Sequence, residues 1–444
     1  MVSSSIHGTS YSYIAVQAAY LATYFPSVYW NTAYLRVVSG LDEDAASNYD
    51  KIAKGIGDVQ KHGTKVELID INKSQYMFEP EEETNSILYG LKAVSGITAD
   101  LIDDLIDNRP YVSFSDFQDK IKCNKTMTIA LIKSGAFDGF APREEVMKEY
   151  LTQTCGTKKR LTMQNFNGLC ENNLIPPELD FQKRIFIFNK ALKKNKKSGD
   201  YFILDRNYYD FYADNFDTDL LEVHNDMTAI SQKNWKKIYD NVMSKAKTYI
   251  TKNNSSLLDA LNSELLQNEW DKYASGNLSS WEMDSLGYYY HDHELKSVSY
   301  DLYNIMAYKN LPFEPEVERT YKRNGREFPI FKTCRIIGTV ISKDLARSQI
   351  NVLTPESGVV TIKFDKNYFA RLNRRISDDT TGKVVENGWF SKGTLIVVNG
   401  FRRGDTFVSR KYGKNSHQCY RITNVNNDGT INMVWQRWGE QDNV

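Results

Sequence analysis

His7 and Tyr11 stand four residues apart in "HGTSYSYIAVQAAYLATYFP", so on a helix both project from one face. A histidine can donate to a phosphate oxygen and a tyrosine ring can stack on a base or sugar; the same pair also suits a helix cap over an aromatic core. Two glycine turns offer a second kind of chemistry. In "GLKAVSGITADLIDDLID" the residues Ser95, Gly96, Ile97 and Thr98 lead an apolar segment into a helix from Ala99 to Asp107, giving a helix, a glycine hairpin and a helix. In "TMTIALIKSGAFDGF" the turn Ser134, Gly135, Ala136 follows a helical stretch ending at Lys133. Glycine permits close approach, and backbone N–H groups at a helix start can hold a phosphate oxygen with no side-chain charge. A third grouping is "GFRRGDTFVSRKY": Arg402, Arg403, Arg410 and Lys411 flank a hairpin beside Phe401 and Phe407, setting charge next to stacking surfaces for single strands. A solvated turn over core phenylalanines explains that hairpin equally well.

Other chemistries are poorly served. Cys123, Cys155, Cys170, Cys334 and Cys419 are odd in number and widely spaced, which suits scattered thiols in a reducing compartment rather than a disulfide frame or zinc site. Paired acids occur in "DEDAAS", "IDDLID" and "SDDTT"; the first two suit helix surfaces and the third a loop. With 56 basic and 56 acidic residues there is no global basic field, so any polyanion contact must come from local patches. No run of about 18 apolar residues appears, and no basic segment leads into an apolar one at the start, so a soluble cytoplasmic protein is expected.

The elements that must position these groups fall into a multidomain, mainly α chain that ends in an all-β barrel. The 444 residues, 41% hydrophobic and 13% aromatic, can fill several cores. Helices are predicted up to Phe25, from about Val28 to Val38, and from Glu43 to about His62, with a short strand in "GTKVELIDIN". Helical signals recur at Trp235 to Ile250 and Leu257 to Tyr273, the lysines of "LKKNKKSG" read as a solvated loop, and "LPFEPEVER" reads as a linker. From Cys334 the period changes to two, and five or six short β-branched runs separated by "PESG", "RRGD" and "NNDG" predict a small barrel of the oligonucleotide-binding (OB) kind; an SH3-like barrel or small sandwich shares the pattern.

Taken in order, these segments resemble the C-terminal part of the alpha subunit of DNA polymerase III, the family C replicative polymerases of bacteria and bacteriophages. His7, Tyr11, Ala19, Tyr20, Leu21, Phe25 and Pro26 match its fingers signature, and Asp70, Ile71, Asn72 and Ser74 match its Asp-Ile-Asn-x-Ser. "GLKAVSGI" and "LIKSGAFD" match its hairpin region, and "SLGYYYHDHEL" its "LGFYLSGHPL", a structural turn before a barrel; His291 and His293 are therefore not read as metal ligands. Two departures stand out: Ser3 to Ile6 replace a basic Phe-Asn-Lys-Ser, and Thr98, whose β-branched side chain resists positive φ, stands where the first hairpin usually has its second glycine.

The resemblance implies the end of the fingers in residues 1–86, a tandem helix-hairpin-helix region in 87–140, a helical clamp-proximal region in 141–310 and the barrel in 330–430. It implies nucleotide contacts from His7 and Tyr11, and DNA contacts from Ser95, Gly96, Thr98, Ser134, Gly135, Arg402, Arg403, Arg410 and Lys411. A sliding-clamp peptide would fall at Gln164 and Phe166. The family's metal-binding Asp-x-Asp palm has no counterpart in a matching position, so this chain is expected to hold no metal and not to polymerise alone. Mg²⁺ would come through an N-terminal palm part, which is the expected partner beside primer-template and single-stranded DNA. The rival expectation is a non-catalytic DNA-binding replication adaptor.

Overall fold

The structure, a computed structural model, describes residues 2–40, 48–356, 358–412 and 417–439, with side chains from Ser10 onward. The chain divides into two compact units: residues 1–147 with 276–444, and residues 148–275.

The larger unit begins with α1 (Val2–Tyr24), ended by Pro26, and α2 (Ser27–Ser39). Helix α1 is exposed along its described length, tyrosines included, whereas α2 buries Val28 and Leu35 and α3 (Tyr49–Lys61) buries Ile52, Ile56 and Val59. Asn48 caps α3, its side chain accepting from the Lys51 N–H; the start expected at Glu43, with the acids of "DEDAAS", lies outside the described residues. Strands β1 (Lys65–Glu67), β2 (Glu79–Glu81) and β3 (Ser86–Leu88) form a sheet with β3 central. Three helices follow: α4 (Ala99–Asp107), α5 (Phe114–Lys120) and α6 (Lys125–Lys133). Leu101, Ile102 and Leu105 turn inward while Asp103 and Asp104 face solvent, as the i, i+3, i+4 spacing requires.

The first arm of the glycine hairpin is not the helix expected from its apolar run. It is a single 3₁₀ turn, Leu91–Ala93, because the Leu91 and Lys92 N–H groups donate to the Gln75 and Tyr76 carbonyls, 2.9 and 3.0 Å, instead of to a preceding turn.

After α7 (Leu278–Leu286) comes a two-stranded ribbon, β4 (Val317–Arg323) and β5 (Arg326–Phe331), where only a linker was expected. The barrel follows: β6 (Cys334–Asp344), β7 (Gln349–Thr354), β8 (Gly358–Lys363), α8 (Lys366–Asn373), β9 (Leu395–Arg403) and β10 (Thr406–Ser409). The strands pair in the order β6-β7-β8-β10-β9, and β9 returns to pair with β6, which closes these five strands into a barrel. All pairs are antiparallel except β8–β10, so the topology is that of an OB-like fold. Ile336, Val340, Ile350, Val352, Val398 and Phe407 fill the interior, and β11 (Cys419–Val425) and β12 (Ile431–Val434) extend the sheet from β9.

The smaller unit packs helices 166–171, 180–195, 232–252 and 254–273 with a four-stranded antiparallel sheet. Lys193 and Lys194 sit in the last turn of helix 180–195 and Lys197 opens a strand, so the lysine run is not the loop expected; cations are favoured at a helix C-terminus.

Candidate nucleic-acid interface

The first hairpin presents its donors at the start of α4. Gly96 has φ +83°, a conformation side chains rarely adopt, and a Cβ there would meet nothing within 4 Å, so the turn is open. Thr98 is the residue before the helix with φ −95° and ψ 156°, so a β-branched side chain sits there without strain. Its side chain makes no cap, and the first helical bond is Ile102 N–H to Thr98 O at 3.2 Å. The N–H groups of Ala99, Asp100 and Leu101 therefore have no intrahelical acceptor. Such donors suit a phosphate oxygen and carry no base information. Ser95 differs from its neighbours, because its N–H donates to Ser285 O at 2.8 Å.

At the second hairpin the donors are turned inward. Ser134 is fully buried; its N–H reaches Ala130 O and its hydroxyl reaches Leu131 O at 2.8 Å. Gly135, φ +85°, ends α6, and a Cβ on it would come within 2.7 Å of the Arg143 guanidinium. The turn thus closes over an ionic cluster. Arg143 donates to Asp138 through Nε at 3.1 Å and Nη2 at 2.6 Å, and to Lys133 O and Glu282 through Nη1 at 3.0 and 3.2 Å. The Glu282 carboxylate is wholly buried and also accepts the Tyr290 and His291 N–H groups at 3.0 Å and lies 2.6 Å from His291 Nδ1.

Helix α7 anchors both hairpins. Ser285 O takes the Ser95 N–H, Leu286 O takes the Tyr89 hydroxyl at 2.7 Å, and Asp284 pairs with Lys133 at 2.9 Å. The Asp70–Ser74 motif latches the intervening segment: Asn72 donates to Tyr111 O and accepts its N–H, both at 2.8 Å, and Arg109 donates to Ile71 O and Ser74 O. Sequence reasoning missed Arg143, Glu282 and Asp284, and the available signal was an acid embedded in the otherwise apolar and aromatic "WEMDSLGYYY".

The remaining singled-out residues lie apart from the hairpins. Tyr11 is 72% exposed on α1, and His7 is in the same helix with its side chain outside the described residues. In the barrel hairpin Phe401 and Phe407 are core residues and offer no stacking face. Arg402 donates to Gly404 O and Leu311 O and covers the Tyr308 and Phe313 rings, pinning the incoming chain. Arg403, Arg410 and Lys411 are exposed. In the smaller unit Gln164 is exposed, but Phe166 is a core residue against Phe186. Asp378 of "SDDTT" accepts the Thr380 and Thr381 N–H groups, an Asx turn. Among the described residues no group of three or more His, Cys, Asp or Glu is placed to hold a metal ion, and no helix is long and apolar enough to cross a membrane.

An open hairpin with free donors at the start of α4, a second hairpin closed over an ionic cluster and a closed OB-like barrel together describe a helix-hairpin-helix protein with an OB-like domain. Residues 63–146 match the helix-hairpin-helix motif family. Over 98% of its length the chain is 39% identical to the probable DNA polymerase YorL of Bacillus subtilis, and equally to the DNA-directed DNA polymerase of Bacillus phage SPbeta. It is 30% identical over 38% of its length to DNA polymerase III subunit alpha of Mycobacterium tuberculosis. The chain spans 35% of the length of the first two relatives and 14% of the third. It is thus a relative of the DNA polymerase III alpha subunits, as its ordered motifs implied.

Proposed function

We propose that this chain is the C-terminal portion of a replicative DNA polymerase, contributing DNA and incoming-nucleotide contacts while the catalytic palm lies on another polypeptide segment. The observation that carries the reading is identity along nearly the whole chain to about a third of two polymerases, combined with the open turn at Gly96 and the open donors of Ala99, Asp100 and Leu101. In this reading α4 holds a backbone phosphate of primer-template duplex, and α1 carries His7 and Tyr11 into the nucleotide pocket when its exposed aromatic surface docks on the palm part. The palm would hold Mg²⁺, and the work would take place in the cytoplasm of a bacterial or infected cell. Alone, the chain binds DNA without extending primers.

Mixing it with the product of the neighbouring reading frame is expected to restore primer extension; an inactive mixture sinks the split-polymerase reading. At the hairpin, Gly96→Val forces a β-branched residue into positive φ. Duplex affinity measured by fluorescence anisotropy is expected to fall roughly tenfold or more, the worth of one charge-assisted hydrogen bond. Unchanged affinity would remove the hairpin from the interface.

A further inference from the structure

Among the described residues the ribbon β4–β5 pairs with no other strand, and it turns at Asn324 and Gly325, φ 49° and 73°. Opposed residues of a ribbon share a face, so Arg319–Ile330, Tyr321–Phe328 and Arg323–Arg326 lie on one side, and Thr320–Pro329 and Lys322–Glu327 on the other. The second side neutralises its own charge, with Lys322 and Glu327 3.3 Å apart. On the first side, among the described residues, no ion pair involves Arg319, Arg323 or Arg326. Arginines directly opposed, as Arg323 and Arg326 are, weaken a ribbon rather than hold it together. Between the arginines Tyr321 and Phe328 stack across the strands, centroids 5.6 Å apart and planes 27° inclined, yet stay 45% and 39% exposed. The aromatic pair alone would serve to steady a hairpin; it does not explain three unpaired cations around it.

We infer that this face binds single-stranded nucleic acid, the Tyr321–Phe328 pair stacking on an unpaired base while Arg319, Arg323 and Arg326 meet the phosphates. A line of unneutralised arginines selects a polyanion, and an exposed ring pair selects one whose base faces are free, which a duplex does not offer. The ribbon is held at its base: Phe331 packs on Phe401 at 4.8 Å, and the exposed Arg403 guanidinium lies over both rings at 5.3 and 5.4 Å, adding a fourth cation where ribbon meets barrel. This site is separate from the α4 hairpin and needs none of its donors.

The test is fluorescence anisotropy of the full chain with labelled oligothymidylate and, in parallel, a labelled duplex. Tyr321→Ala/Phe328→Ala is expected to weaken oligothymidylate binding by about tenfold or more. Arg319→Ala/Arg323→Ala/Arg326→Ala should flatten the slope of log affinity against log salt by about 2. The conservative swap Tyr321→Phe/Phe328→Tyr should keep binding, and Lys322→Ala/Glu327→Ala on the opposite face should leave it unchanged. Thermal unfolding of the barrel should be the same for all, since neither ring belongs to its core. Wild-type affinity in the first two variants overturns the inference, as does an equal loss on the duplex; loss of duplex binding in Gly96→Val alone leaves it standing.

Discussion

Replacing Arg143 with methionine is expected to destabilise the larger unit by about 3–5 kcal/mol, because it takes the guanidinium from a buried carboxylate, leaving it only the Tyr290 and His291 donors, rather than removing a surface contact. The Arg143 and Glu282 side chains are 3% and 0% exposed, so neither charge can turn to water when the other is lost. Lys133 O loses a donor in the same step, and the cover over Gly135 goes with it. The double variant Arg143→Met/Glu282→Gln, which removes the buried charge left without its guanidinium, should recover a good part of the loss. Urea unfolding of wild type, both single variants and the double variant measures the coupling. A single-variant loss below about 1 kcal/mol would show the cluster to be dispensable.

The second large effect is acid sensitivity. Burial holds the His293 imidazole well below its ordinary 6.5, at about 4. In its neutral form Nε2 donates to Leu353 O at 2.9 Å and Nδ1 accepts the Leu295 N–H at 3.0 Å, and protonating Nδ1 destroys the second bond. Between pH 6.5 and about 4 the unfolded chain binds a proton that the folded chain refuses, so stability falls as pH drops through that window and is unaffected above it. The full effect approaches about 3 kcal/mol, because each tenfold difference in proton affinity between the two states is worth about 1.4 kcal/mol. Glu294 acts in the opposite sense: burial raises its carboxyl, so the folded state takes its proton earlier and acidification favours folding there. Melting followed from pH 7.5 down to 4.5 in wild type and His293→Asn separates the two, since only the variant should lose the steep decline near pH 6. Coincident slopes would acquit His293.

How much of this was legible in the sequence follows from the range of each interaction. The ends of α1, α4 and α6 were readable because Pro26, Gly96 and Gly135 act on their immediate neighbours. The barrel was readable because alternation survives in every strand. The 3₁₀ turn at Leu91 was not, since the carbonyls that divert it belong to Gln75 and Tyr76. Nor was the ribbon, although "NG" at 324–325 between alternating residues was a hairpin signal in plain view beneath the prolines of the preceding segment. In the candidate interface, Gly96 and Thr98 were readable as a turn before a helix, while the inward donors of Ser134 depend on Arg143 and Glu282, separated from each other by 139 residues. Phe401 and Phe407 carry no local mark to say whether they stack on a ligand or fill a barrel.

The anchoring of both hairpins on α7 also sets an order of events during synthesis. The Tyr89 hydroxyl and the Leu286 carbonyl are 197 residues apart, so at roughly 5–20 residues per second the hairpins emerge about 10–40 seconds before the helix that secures them. Residues 148–275, a compact unit in their own right, emerge in that interval and can fold first. The nascent hairpins meanwhile hold Arg143 with Asp138 as its sole acidic partner, and the arrival of Glu282 converts a loose pair into a buried one. The Gly135 turn is thus finished late, by a segment translated long after the turn itself.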